Sequence, residues 1–276
     1  MSNLPAVPSV PGHIVKGVPL KNALGDEAVR QLAANMEYAW AEFPTEQFIT
    51  EASAGIAPLE FMDRGRLIAT TLHKYLPVPY SEAIRVLIKS MTPARVDVVD
   101  IGSSMHFYLP YGSFIAQYGV QEEDLETSIM ALRELTLRYT AEFAIRPYFL
   151  EFEERMLEQM MVWIMDENPH VRRLCCEGTR PILPWGTRLP AFLEDPQKTL
   201  PILEALKDDE ELYVRRSVAN HLGDIAKKHP EWVFELCHKW LDEGASTELK
   251  WVIRHAVRYW SKKERSEALE LRIKAK

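Results

Sequence analysis

Between Tyr80 and Met165 the apolar residues recur at three- and four-residue spacing, the period of a helix with one buried face. Ser81 stands before Glu82-Ala83-Ile84-Arg85-Val86-Leu87-Ile88-Lys89, which predicts an amphipathic helix with Ser81 as its N-cap, ended by Pro93. Asp124 opens a longer run with apolar positions Leu125, Ile129, Leu132, Leu135, Leu137 and Phe143, interrupted at Pro147. Residues 149–165 read as another helix with Met156, Met160 and Trp163 on one face, a methionine-rich stripe that reads as core rather than a ligand box. No alternation is long enough to predict a strand. The expected class is all-α.

The later chain repeats itself. Asn168-Pro169-His170-Val171-Arg172-Arg173 matches Glu211-Leu212-Tyr213-Val214-Arg215-Arg216, each after an acidic turn (Asp166-Glu167; Asp208-Asp209-Glu210), and a weaker copy starts near Leu249-Lys250-Trp251. The offsets, 43 and 35 residues, suit two-helix repeats of the HEAT kind. Such repeats must stack, because one helix pair cannot bury its apolar face alone. The expected architecture is a right-handed, curved α-solenoid.

In this register Glu177, Asn220 and His255 share one position of successive second helices. Arg173, Arg216 and Trp251 lie four residues earlier, and Asp224 and Tyr259 four residues later in their own helices. Arg138, Glu142 and Arg146 have the same spacing on an earlier predicted helix. The core set of the best copy, Val214, Val218, Leu222 and Ile225, falls roughly opposite. Several helices therefore present arginine beside a carboxylate or amide, away from the core.

These residues have two readings each. Arg172, Arg173, Arg215 and Arg216 sit in the first turns of helices, where cations oppose the helix dipole. One of each pair suits a ladder to the acidic turns and the other a phosphate. Glu142 can pair with Arg138 or Arg146, Glu177 with Arg173, and Asp224 with Lys228, as ordinary helix-surface ion pairs. Trp185, in the proline-rich segment Arg180-Pro181-Ile182-Leu183-Pro184-Trp185-Gly186, is a core plug or an exposed platform. His221 and His255 read as hydrogen-bonding neighbours rather than metal ligands.

Composition narrows the class without deciding it. The 276 residues carry a net charge of −7, but residues 1–165 hold 13 basic against 21 acidic side chains and residues 166–276 hold 20 against 19. Nucleic acid needs a local basic surface rather than a basic total, since phosphate attraction fades over roughly 10 Å. No apolar run is long enough for a membrane span, and Met1–Leu20 lacks a signal-peptide layout. Cys175, Cys176 and Cys237 form no ligand spacing, which fits a reduced, cytoplasmic setting. Phosphate loops, nucleophile elbows and metal-binding motifs are missing from the sequence.

At these residues the chain resembles the AlkC family of bacterial DNA alkylation-repair glycosylases. The matching blocks run from Thr140 to Pro147, Val171 to Leu174, Glu177 to Pro181, Leu183 to Trp185, Tyr213 to Leu222, Asp224 to Lys227 and Ile253 to Arg258, with a similar stretch from Leu20 to Pro77. The resemblance implies one HEAT-like domain over 1–276, with an N-terminal helical part at about 20–120 and a catalytic part at about 121–276; the C-terminal immunoglobulin-like domain that some members carry is not expected in this chain. It implies a monofunctional glycosylase without cofactor or metal, acting as a monomer on duplex DNA. The expected substrates are cationic N3-alkylated bases, 3-methyladenine and 3-methylcytosine, recognised without base flipping.

Carried over residue by residue, Glu142, Glu177, Trp185 and Asp224 form the expected active-site set. The expected DNA contacts are Arg146, Arg172, Arg173, Arg180, Arg215, Arg216, Asn220, Lys227, Arg254, His255 and Arg258. Either Glu177 or Asp224 is expected to position the water. Gly223 and Ile182 stand where polar or basic residues are expected, while Cys175 and Cys176 look like packing. The competing readings are a non-catalytic HEAT-repeat DNA-binding or scaffold protein, and a protein adaptor using the acidic half.

Overall fold

The computed structural model describes residues 7–11, 17–94 and 103–276, so the reading of Met1–Leu20 falls largely outside the described part. All regular structure in the described residues is helical, and the chain divides into two compact units, Met1–Ala144 and Ile145–Lys276. None of the described helices is long and apolar enough to cross a membrane.

The first unit holds α1 (Asp26–Ala39), α2 (Thr45–Ala54), α3 (Phe61–Tyr75), α4 (Tyr80–Lys89), α5 (Leu109–Tyr118) and α6 (Leu125–Thr136). Helix α3 lies on α5, α1 on α2, and α4 on α6. The α3–α5 approach is close: a Cβ on Gly65 would stand 2.8 Å from the Leu109 side chain. Helix α4 begins before the expected N-cap, because the Pro79 carbonyl already accepts from Glu82 and Ala83. Ser81 therefore lies in its first turn and caps nothing. Helix α6 ends at Thr136 rather than running on to Pro147, and Phe143 lies beyond it in a turn. The Arg138 guanidinium is drawn instead to the Thr92 carbonyl (2.5 Å) and to Glu134 (2.8 Å). Arg138, Glu142 and Arg146 share no helical face, and that part of the predicted polar stripe does not exist.

The second unit holds α7 (Arg146–Glu151), α8 (Glu153–Trp163), α9 (Pro169–Gly178), α10 (Pro190–Glu194), α11 (Leu200–Leu206), α12 (Leu212–Ile225), α13 (Pro230–Asp242), α14 (Thr247–Ala256), α15 (Arg258–Lys262) and α16 (Ser266–Lys274). The single helix expected over 149–165 is two helices, broken at Phe152 (φ −128°, ψ 47°). Its predicted core face holds, with Met156, Met160 and Trp163 all buried.

The repeat is real and sets the packing. Helices α9, α12 and α14 lie side by side as the second members of successive pairs, with α8 and α11 against α9, α11 and α13 against α12, and α16 across α13 and α14. Val214, Val218, Leu222 and Ile225 have no measurable exposure, and burying each such side chain stabilises the stack by about 2 kcal/mol. Two of the three starts carry side-chain caps: Asn168 accepts from the His170 amide and Ser246 from the Leu249 amide, both at 2.9 Å. Helix α14 stops at Ala256, so Tyr259 is not on the face of His255 but on α15, past a break at Val257.

Candidate active site and nucleic-acid interface

The second helices of adjacent repeats bring Glu177 and Asp224 to one guanidinium. Glu177 closes the last turn of α9 and Asp224 the last turn of α12. Arg180, just past α9, donates Nη1 to Glu177 Oε1 (2.7 Å) and Nε to Asp224 Oδ2 (2.9 Å). All three residues are buried. The other Glu177 oxygen accepts from the Ser217 hydroxyl, and Arg173 stands 3.6 Å from Oε1. Burial by itself would raise the Glu177 carboxyl, but Arg173, Arg180 and the Ser217 hydroxyl outweigh it and hold it below the usual carboxylate range. Asp224 pairs with Lys227 at 3.1 Å and not with Lys228, which reaches Glu194 instead.

Asp224 opens onto a cleft of about 210 Å³, whose wall includes Asn220, Lys227, Arg258, Tyr259 and Lys262. Gly223 lies in that wall, and a Cβ there would meet the Ala256 carbonyl oxygen at an ordinary 3.5 Å. Asn220 Oδ1 accepts from Arg258 (3.0 Å) and faces His255 Nε2 at 3.2 Å. Burial, with Arg258 and Arg216 nearby, pushes His255 down to about 4, so its ring is neutral at pH 7 and free to donate from Nε2. The His255 ring stacks on Trp251, and Arg216 is exposed on the same helix layer.

Trp185 is a platform. It is 76% exposed and has φ +64°, a left-handed backbone that costs a bulky residue roughly 1–2 kcal/mol. What holds the loop there is Arg146, with no exposure at all. Its guanidinium donates to the Thr187 carbonyl, to that of Gly178 (3.0 Å) and to that of Arg180 (2.8 Å). The expectation of Arg146 at a DNA surface gives way to a buried strut of the Trp185 loop. Gly186 fits against it, a Cβ there standing 3.3 Å from Arg146 Cδ.

One arginine of each pair joins the ladder to the acidic turns. Arg172 binds Asp209 and the carbonyls of Asp166 and Glu167, while Arg215 donates to the carbonyls of Asp209 and Glu210. Both are buried in the ladder. Arg216 is exposed, and Arg173 lies over the Tyr213 ring at 5.0 Å. Arg254 ties α14 to the Ala275 carbonyl. Glu142 belongs to the first unit, half-buried in a turn, where it accepts from the Thr140 hydroxyl and faces His106 electrostatically. His221 is buried, its Nδ1 at 3.1 Å from the Cys176 carbonyl and its Nε2 at 3.4 Å from Thr199. Cys175 and Cys176 are fully buried packing residues.

Sequence reasoning missed Ser217, Tyr213 and Lys262. Ser217 was legible as the neighbour of Arg216, but an uncharged hydroxyl offers no pattern until its acceptor is placed.

Known proteins resemble this chain over nearly its whole length. The family of DNA alkylation repair enzymes matches residues 138–260, a span that holds every residue of the expected site. The uncharacterized protein YhaZ of Bacillus subtilis is 36% identical over 253 residues, covering 91% of this chain and 67% of its own. The alkylpurine DNA glycosylase AlkC of Pseudomonas fluorescens, solved bound to DNA containing an abasic-site analogue, superposes with a TM-score of 0.82 at 36% identity, covering 92% of this chain and 68% of that one. Repeat, buried carboxylates and exposed tryptophan thus sit in a chain that belongs to the AlkC family of DNA alkylation-repair enzymes.

Proposed function

We propose that this chain is a monofunctional DNA glycosylase, hydrolysing the N-glycosidic bond of cationic N3-alkylated bases in duplex DNA. The substrates are 3-methyladenine and 3-methylcytosine, read without extruding the base. The observation that carries the proposal is Asp224, a buried carboxylate held by Arg180 at the edge of an open cleft with basic walls.

Alkylation at N3 gives the base a positive charge, so it leaves without protonation by the protein. What the site must supply is stabilisation of an oxocarbenium-like sugar and a directed water, and a fixed carboxylate does both. Trp185 would offer its indole face to the cationic nucleotide, a contact worth about 0.5–2 kcal/mol. A neutral lesion has neither the cationic leaving group nor the cation–π contact. Arg173, Arg216, Lys227 and Arg258 are the proposed phosphate contacts. The protein would act as a monomer in the cytoplasm, on duplex DNA.

The test is base release from duplexes carrying a single 3-methylcytosine or 3-methyladenine, with 7-methylguanine and undamaged duplexes as controls. Release of the N3-methyl base with an intact abasic strand is expected, and Asp224→Asn should abolish it while DNA binding persists. Salt-sensitive binding with no release from either N3-methylated duplex would sink the proposal and leave a non-catalytic DNA-binding protein.

A further inference from the structure

We infer that Arg180 is a positioning residue, serving the proposed chemistry through Asp224 and not through a DNA phosphate. The inference rests on the glycosylase reading. A guanidinium is flat and presents donors along two edges, so binding one carboxylate at Nε and another at Nη1 fixes the spacing and the plane of both.

The two carboxylates that Arg180 binds are held in turn. Glu177 has one oxygen on Arg180 and the other on Ser217, it is buried, and it is not part of the cleft wall. Asp224 is part of that wall, with Oδ2 held by Arg180 and Oδ1 near Lys227. Restraint therefore passes from Ser217 to Glu177, to Arg180, and on to Asp224. The main chain of Arg180 is pinned as well, its carbonyl accepting from buried Arg146 at 2.8 Å. A phosphate that drew Arg180 out of this clamp would leave two buried carboxylates with only the more distant Arg173 and Lys227 as partners. Of the two carboxylates, Asp224 faces the substrate and Glu177 holds the clamp.

The experiment compares wild type, Arg180→Lys, Arg180→Gln and the double variant Glu177→Gln/Arg180→Gln, with Lys228→Ala as a surface control. Three quantities are read: single-turnover base release at saturating protein, affinity for abasic-analogue duplex against salt, and the thermal midpoint. A lysine keeps the charge but cannot span both carboxylates. Arg180→Lys should therefore lose about 100-fold in release rate, as a group misplaced by about 1 Å does. Its affinity should stay within about 3-fold, with the salt slope unchanged.

A phosphate contact gives the opposite pattern: weaker binding, a salt slope smaller by about 1, and a near-normal rate at saturation. That result overturns the inference. The double variant replaces the buried ion pair by two amides and separates stability from placement. If the rate returns with the thermal midpoint, Arg180 is only structural and the inference falls. If the midpoint returns and the rate does not, positioning stands. Absence of release by wild type removes the glycosylase reading and the inference with it, whereas a phosphate-contact pattern on an active wild type removes the inference alone.

Discussion

Arg172 meets Asp209 edge-on, Nε to Oδ2 at 2.7 Å and Nη2 to Oδ1 at 3.1 Å. The pair joins the start of α9 to the acidic turn before α12, and Asp209 Oδ1 also accepts from the Glu211 amide at 2.9 Å. One carboxylate thus orders its own turn and docks the previous repeat. Asp209→Asn would leave the buried guanidinium with only the exposed Glu210 carboxylate, 3.5 Å from Nη2, and should cost about 3 kcal/mol. Urea unfolding checks this, with DNA affinity expected to stay at the wild-type value. A loss of affinity without a loss of stability would return Arg172 to the DNA surface.

The cleft beside Asp224 is expected to hold a phosphate through its outer cations. Arg258 donates to two neutral acceptors, the His255 carbonyl and Asn220, which leaves its charge available to an anion. Arg258→Ala and Lys262→Ala should each weaken duplex binding and lower the salt slope by about 1. Unchanged slopes for both would place the DNA elsewhere.

His221 makes stability depend on pH. Burial pushes its imidazole down to about 3, whereas in the unfolded chain it protonates near the ordinary 6.5. Between these values the unfolded state binds more protons, so stability falls as pH drops from about 6.5 toward 3. At pH 5 the loss from this group is about 2 kcal/mol. His255 acts in the same direction more weakly, being partly exposed. Glu177 keeps its stabilisation above the ordinary carboxylate pKa and loses it as pH falls from there toward its lowered folded value. Urea midpoints at pH 7 and pH 5 should therefore converge in His221→Gln; an equal drop in both proteins counts against His221.

Trp185→Ala should reduce release of N3-methylated bases by about 10-fold, from loss of the cation–π contact. Its exposed side chain contributes little packing, so circular dichroism and thermal melts should show a fold as stable as wild type. Unaltered release would remove Trp185 from the proposed site.

How far the sequence could be read follows from which forces are local. The core face of α12 follows from period and side-chain type alone, and the structure bears it out. The end of α6 does not. No proline or glycine stands between Thr136 and Phe143, and the chain turns where Arg138 finds the carbonyl of Thr92, 46 residues away. The same holds for Arg146 and Arg180. Arginines at helical spacing beside carboxylates look like a solvated stripe until the stacked repeats bury them. Their acceptors then prove to be backbone carbonyls 32 to 41 residues on for Arg146, and a carboxylate 44 residues on for Arg180. The choice between plug and platform for Trp185 was equally closed to the sequence, because it depends on a strut that periodicity does not reveal.

The left-handed backbone at Trp185 sets selection for durability against selection for repair. Glycine adopts that conformation without strain, so Trp185→Gly should melt later than the parent protein while losing the platform. A library screened only for heat resistance would enrich that replacement and discard the proposed chemistry. Directed evolution of this protein therefore has to score base release in the same round as stability.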